Sequence, residues 1–272
     1  MRVMTWNLWW RFGDHERRSA AIDAVLRAEA PDVVCFQEVW SDATTDQAEM
    51  LAARHDAHVV RTEPVLFDGF SFGNAIMARW PIERIADVRL PGADGEPGYR
   101  RLLIAAVATP WGSWPIAATH LDYRFDASHT RQHQVRRVLE CVVEHRGDPE
   151  HDLPMIVGGD LNAVADSDEM RIFTGRRPGV DGIVMSDVWE QVGDGPGNTW
   201  RRDNPHVAES AWPERRIDYL GISWPRPKPV GNPIRAWLAG TSPVDTDDGP
   251  VWPSDHAAVV AELVVPSSPS DV

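Results

Sequence analysis

Lysine is nearly missing from this chain. Lys228 is the only one, and 27 Lys and Arg stand against 41 Asp and Glu, a formal charge of −14. A surface this acidic argues against charge-driven, sequence-independent docking on nucleic-acid duplexes. Local clusters such as Arg100-Arg101 or Arg176-Arg177 can still meet a phosphate. Cysteine is scarce too: Cys35 lies in an apolar run and Cys141 in a helical stretch, so both read as core thiols rather than a disulfide or metal pair. No apolar run is long enough to span a bilayer, and a first strand that starts almost at Met1 leaves no room for a leader peptide. A cytoplasmic monomer is expected. Internal repeats and low-complexity linkers are absent, and 43% hydrophobic with 25% charged residues is ordinary for a globular domain. The expectation is one domain over residues 1–265 with a short tail at 266–272.

The segment Leu153-Pro154-Met155-Ile156-Val157 is apolar without alternation, the pattern of a strand covered on both faces. It runs into Gly158-Gly159, which lets the chain turn or another segment approach closely, and then into Asp160-Leu161-Asn162. In extended chain Asp160 and Asn162 would point the same way. They could equally close an Asx turn on their own loop backbone.

The arrangement recurs. Runs at 2–6, 31–36 and 114–119 end in Asn7, Gln37-Glu38 and His120-Leu121-Asp122. Arg216-Ile217-Asp218-Tyr219-Leu220 carries an acid inside a strand-like run, and Ser254-Asp255-His256 precedes the last strand. Polar residues gathered at strand ends suggest one site drawn from the whole chain.

The remaining pattern places a helix from Asp14 to Ala30 with Asp14 as its cap, a helix from Ser41 to Arg54, and one from Ala127 to His145. Strands are expected at 57–61, 74–78, 82–90, 101–108, 114–119 and 154–158, then at 197–201, 215–222, 234–238 and 256–264. Strands first mixed with helices and then in antiparallel runs indicate an α+β sandwich.

The set Thr5-Trp6-Asn7, Gln37-Glu38, Thr119-His120-Leu121, Gly159-Asp160-Leu161-Asn162, Arg216-Ile217-Asp218-Tyr219 and Ser254-Asp255-His256 resembles the endonuclease/exonuclease/phosphatase superfamily. That group includes deoxyribonuclease I, apurinic endonucleases, Mg-dependent tyrosyl-DNA phosphodiesterases, neutral sphingomyelinases and inositol polyphosphate 5-phosphatases. The resemblance covers nearly the whole chain. It implies a four-layer α/β/β/α sandwich, with two central, mostly antiparallel sheets flanked by helices.

It also implies divalent-metal-dependent hydrolysis of a phosphate ester, most simply a phosphodiester. Such chemistry needs a hard cation, a positioned water and stabilisation of charge on the phosphoryl and leaving oxygens. Glu38 is the first candidate ligand for Mg²⁺ or Mn²⁺, with Asn7 beside it and Asp255 as a second acid on the metal side. The bland readings are a helix cap for Glu38 and a turn for Asn7. Asp160 is expected to orient or deprotonate the attacking water, with Asn162 holding phosphate or water. His256 would donate to a non-bridging oxygen while Asp218 orients the ring and keeps it cationic. His120 resembles the family's other phosphate donor.

Asn74, Arg101, Trp9 and Asp122 are the substrate-binding candidates, although Asp122 also suits a helix cap near Ala127. Arg131 and Gln134 read as braces for the intervening loop. Nuclease members of the family often carry an acid where Trp9 stands. Thr199-Trp200 and the loop with Asn204, His206 and Trp212 are similar to a region of the tyrosyl-DNA phosphodiesterases. Two rivals stay open: an exo- or endonuclease acting on nucleic acid, and a catalytically silent phosphate-binding module of the same fold.

Overall fold

The structure, a computed structural model, describes residues 1–67, 69–247 and 249–267. Most of the expected tail, from residue 268 on, lies outside the described residues. In chain order the first half runs β1 (Arg2–Asn7), α1 (His15–Glu29), β2 (Val33–Val39), α2 (Gln47–Arg54), β3 (His58–Arg61), β4 (Val65–Phe67), β5 (Phe70–Ala78), β6 (Ile82–Pro91), β7 (Pro97–Thr109) and β8 (Gly112–His120). There follow α3 (Ser128–His145), β9 (Ile156–Asp160), α4 (Asp168–Phe173), β10 (Val184–Asp187), α5 (Val188–Val192), β11 (Asp218–Trp224), β12 (Pro233–Ala239), β13 (Val244–Thr246), β14 (Gly249–Val251) and β15 (Ala258–Leu263).

Two sheets form the centre. One has the order β12-β15-β1-β2-β5-β3 with β4 attached to β5, and the other the order β10-β11-β9-β8-β7-β6. Within them β1–β2 and β8–β9 run parallel and the other pairs antiparallel. Side-chain alternation explains the apolar runs. On β7, Leu103, Ala105 and Val107 join the core between the sheets, with Val3, Cys35 and Ile156, while Leu102 and Ile104 pack under Val135, Val138 and Leu139 of α3. On the outer face of the first sheet Met4, Trp6 and Phe36 pack against Ile22 and Leu26 of α1 and Leu51 of α2. The layers are therefore α/β/β/α.

Gly158 and Gly159 serve close approach, since neither has positive φ. A Cβ at Gly158 would come within 2.8 Å of Cys35 Cβ across the sheets, and one at Gly159 within 2.4 Å of the Thr119 carbonyl on β8. The absence of a side chain at Gly158 lets the two sheets approach closely just before Asp160 leaves the core.

Two expected elements differ. The helix expected from Ser41 begins at Gln47, because Ser41–Asp46 closes a turn in which Asp42 Oδ1 accepts from the Thr44 and Thr45 amides, and Asp46 caps the helix through the Ala48 and Glu49 amides. The strand expected at 197–201 reduces to Trp200, which bridges Arg215 and His256. The sequence reading also missed the short elements β4, β10, α4, α5, β13 and β14.

Candidate active site

Register builds the site. Asn7 pairs with Gln37 at the parallel ends of β1 and β2, His120 pairs with Asp160 at the parallel ends of β8 and β9, and Asp218 pairs with Asp160 from β11. Three strand ends of one sheet thus face two of the other.

Asp160 is at the centre. Its Oδ1 accepts from the Asn162 amide at 2.9 Å, so the Asx turn anticipated as the bland reading does form. Its Oδ2 accepts from Asn7 Nδ2 at 3.0 Å and lies 3.4 Å from His120 Nε2 and 3.9 Å from His256 Nε2. One carboxylate oxygen fixes the loop and the other faces the site. Burial and the Asp218 charge push the Asp160 carboxyl up to about 6, against the pull of His256, Asn7 and the Asn162 amide.

Asn162 does not continue the strand as extended spacing had suggested. Its φ is +49°, and its amide turns back to His120 Nε2 at 3.0 Å and the Leu121 carbonyl at 3.3 Å. Burial, with Arg100 and His256 nearby, holds His120 well below the ordinary imidazole range, so its ring is neutral. With Nε2 accepting from Asn162, the proton sits on Nδ1, a buried atom without a hydrogen-bond partner, 3.8 Å from Glu38 Oε1.

His256 is the opposite case. Burial alone would lower it, but the carboxylates of Asp218, Asp255 and Asp160, with a 2.8 Å hydrogen bond from Nδ1 to Asp218 Oδ2, hold the ring cationic well above its usual range. Asp218 is fixed in turn by Thr199, whose Oγ1 accepts from the Ile217 and Asp218 amides at 3.2 and 3.3 Å. Ser254 Oγ accepts from the His256 amide and donates to the Asn7 carbonyl at 2.7 Å, tying the two strand ends together.

Glu38 does not cap a helix. A register shift between Phe36 and Val39 and a φ of +55° aim it out of the β2 ladder. Its Oε1 accepts from Asn7 Nδ2 at 3.3 Å, while Oε2 is buried without a partner. Burial and the adjacent Asp255 charge raise its carboxyl to about 7, although Arg100 and His256 pull the other way. Asp255, itself raised by burial, stands on this side of the site.

The four substrate-binding candidates fare differently. Arg101 donates to Asp87 Oδ1 at 2.6 Å and is spent there. Its neighbour Arg100, which projects to the opposite face of β7, is the guanidinium at the site. Arg100 is 5% exposed, its Nε and Nη1 have no partner, and its charge acts on Glu38, His120 and Asp122. Asn74 donates to the Arg101 carbonyl at 2.9 Å, and its Oδ1 is buried and unpartnered, level with the β2 bulge. Asp122 caps no helix, because α3 starts after Ala127 without a side-chain cap; its carboxylate is taken by the Arg124 guanidinium at 2.9 and 3.0 Å. Arg131 and Gln134 brace that loop through the Asp122 and Arg124 carbonyls and the Asp122 amide. Trp9 is engaged within the protein: its amide donates to Asn7 Oδ1 at 2.9 Å, and its ring rests on His206 and the Arg18 guanidinium.

A cluster of which the sequence named only Trp200 and Trp212 lies beside Asp160. The Arg215 guanidinium sits 4.5 Å from the Phe125 ring and 4.7 Å from Trp200, with the Asp160 charge acting on it. Above it Phe125 and Trp212 stack at 4.2 Å, each nearly half exposed. Exposed aromatic rings such as Phe125 and Trp212, paired across loops 87 residues apart in sequence, leave no periodic signal.

The profile of the Endonuclease/Exonuclease/phosphatase family matches residues 4–271. The chain belongs to this family. Among solved structures, an endonuclease/exonuclease/phosphatase from Beutenbergia cavernae is 28% identical over 97% of this chain and 71% of its own, with a TM-score of 0.72. TDP2 of D. rerio, solved with a single-strand DNA product, shares 22% identity over 97% of this chain and 99% of its own, with a TM-score of 0.73. A mannosyl-6-phosphatase of Bacteroides thetaiotaomicron shares 19% over 97% and 99%, with a TM-score of 0.72. The last two establish the fold alone. A search of curated proteins finds no match. Among the described residues no helix is long and apolar enough to cross a membrane.

Proposed function

We propose that this member of the endonuclease/exonuclease/phosphatase family hydrolyses a phosphodiester with the help of a hard divalent cation, Mg²⁺ or Mn²⁺. The observation that carries the reading is Asp160 Oδ2, buried among Asn7, His120 and His256, with the charged His256–Asp218 pair behind it. A carboxylate lifted to about 6 is basic enough to take a proton from water near neutral pH. As the water oxygen bonds to phosphorus, the ester oxygen opposite leaves with its bonding pair, and the Asp160 proton is passed on to solvent. Cationic His256 donates a hydrogen bond to a non-bridging oxygen as charge grows there, and Asp218 keeps that donor charged. The neutral His120 ring and the Asn162 amide orient the phosphate.

The residues fit a cation. Glu38 Oε2 is a buried carboxylate oxygen with no partner, on the side of the acid Asp255, and both offer oxygen, while Asn7 turns its Nδ2 to Glu38 and its Oδ1 to the Trp9 amide. A cation held there would neutralise the phosphoryl and leaving oxygens. Asp160, Asp218 and His256 also place ligand atoms within 4.8 Å of one another. Ligation needs a neutral imidazole, and a ring held cationic by three carboxylates is a poor ligand, which favours Glu38.

A second reading, cleavage at a nucleic-acid end, is supported by the Phe125–Trp212 stack over Arg215 and by Arg100, whose Nε and Nη1 have no hydrogen-bond partner, which together suit a planar group next to a second phosphate. The acidic surface fits short or single-stranded ends better than long duplexes. The test is a panel of single-stranded, duplex, abasic and 5'-tyrosyl oligonucleotides against small diesters and sugar or inositol phosphates, each with Mg²⁺ and Mn²⁺. A winner among the oligonucleotides selects the second reading. Hydrolysis confined to monoesters would overturn the diesterase assignment.

A further inference from the structure

Outside the catalytic centre, α3 carries His129 and His133 one helical turn apart, both exposed, at the solvent end of the segment that follows His120. Their rings meet edge to face with centroids 4.6 Å apart, and the two Nε2 atoms face each other at 3.3 Å. Among the described residues no acid or carbonyl is hydrogen-bonded to either ring, and the polar contact they make is with each other. Two imidazole nitrogens at that separation can share a metal ion.

We propose that His129 and His133 form a bidentate site for a borderline transition cation, Zn²⁺ first, with Ni²⁺ and Cu²⁺ in the same class. The spacing decides this. With a zinc–nitrogen bond of about 2.1 Å, an N···N separation of 3.3 Å corresponds to an N–Zn–N angle of about 104°, close to tetrahedral. Residues four apart on a helix are neighbours on one face, so the helix itself holds the bite, and little ordering remains for the ion to impose. Imidazole selects against Mg²⁺, which prefers oxygen, so the site is chemically distinct from the oxygen-rich pocket at Glu38. Water completes the coordination shell, because both rings are on the surface.

The site has a structural consequence. His129 and His133 bracket Arg131, which donates to Glu169 Oε1 and to the carbonyls of Asp122 and Arg124. An ion clamped across this turn stabilises the first turns of α3 and, through Arg131, the loop leading from His120.

Calorimetric titration of Zn²⁺ alone into the full chain, in excess Mg²⁺ to keep the oxygen pocket filled, tests the site. The wild-type chain takes up one equivalent more than the His129→Gln/His133→Gln double variant. Each single variant loses that equivalent as completely as the double, because one imidazole cannot chelate. Matching far-UV circular dichroism shows that the variants are folded. Equal uptake by wild type and double variant, or a single variant that keeps wild-type affinity, overturns the proposal. A Zn²⁺-dependent rise in Tm that disappears in the double variant is the supporting second readout.

Discussion

Arg18 on α1 is 2% exposed, yet its guanidinium donates five hydrogen bonds: Nη1 to the Leu8 and Pro253 carbonyls at 2.8 and 3.0 Å, and Nη2 to those of Trp9, Trp10 and Phe12 at 2.9 to 3.1 Å. The face of Trp9 lies 4.9 Å from it. Burial lowers it to about 10, partly offset by Asp255 and Glu38, so it stays charged at neutral pH. Arg18 therefore knots together the loop after Asn7 and the loop before Asp255-His256. Replacing it with Met keeps an unbranched stem and removes every donor. Hydrogen bonds from a charged donor contribute roughly 1.5–3 kcal/mol each, but five made by two nitrogens are not additive. The desolvation of the guanidinium is also relieved. The net expectation is a loss of about 3–5 kcal/mol. For a domain of this size that corresponds to a Tm about 6–20 °C lower. Scanning calorimetry measures this, and diester hydrolysis assayed well below the variant's Tm should still be depressed, because both loops bear site residues. A variant within about 1 kcal/mol of wild type, with unchanged kcat and KM, would refute the knot.

Asp218→Asn keeps a hydrogen-bonding partner for His256 but removes its charge, and should lower kcat by about 10²–10⁴-fold. Since the carboxylate raises the ring, the variant's His256 loses its proton at lower pH, so activity declines from the alkaline side first; an unchanged pH–rate profile counts against the pair. Gly158→Ala drives a methyl to 2.8 Å from Cys35 Cβ and 2.9 Å from its Sγ and should cost about 1–3 kcal/mol, of which Cys35→Ala, which removes the sulfur and keeps Cβ, recovers only the sulfur's share in a double-mutant cycle measured by urea unfolding; a Gly158→Ala variant as stable as wild type would mean the sheets do not meet there. Glu262 is held at about 2 by hydrogen bonds from Arg235 and Arg2, so its contribution is complete above the ordinary glutamate range and is lost as pH falls through about 2. With the side chain 27% exposed, solvent screening leaves about 1 kcal/mol, which Glu262→Gln should remove at pH 7 and not near pH 2; a pH-independent difference would contradict the ion-pair origin.

The strand ends were legible because β1, β2, β8 and β9 are buried on both faces. Their apolar runs stop where a polar residue leaves the core, at Asn7, Glu38, His120 and Asp160. What lay outside any single run was harder to read. Arg100 and Arg101 are interchangeable in sequence, and only their opposite projection from β7 decides that one meets Asp87 and the other the site. Ser41–Asp46 hid within a helical pattern, although Asp42, Thr44 and Asp46 carry the turn and cap chemistry that excludes a helix there. Nothing in the sequence around Arg18 marks it out. Its role depends on carbonyls at Leu8 to Phe12 and at Pro253, 235 residues away, which no local pattern reports.

The central claim is that Asp160 serves the hydrolysis of a phosphodiester assisted by a divalent cation. Its most direct test is the initial rate of bis(p-nitrophenyl) phosphate hydrolysis by wild type and Asp160→Ala, with Mg²⁺ or Mn²⁺ and after chelation. The account predicts a cation-dependent rate in wild type that falls by orders of magnitude in a variant still folded by circular dichroism. Near wild-type turnover by Asp160→Ala would contradict it, and so would a folded, cation-loaded wild type without activity on any diester, the behaviour of a silent binding module.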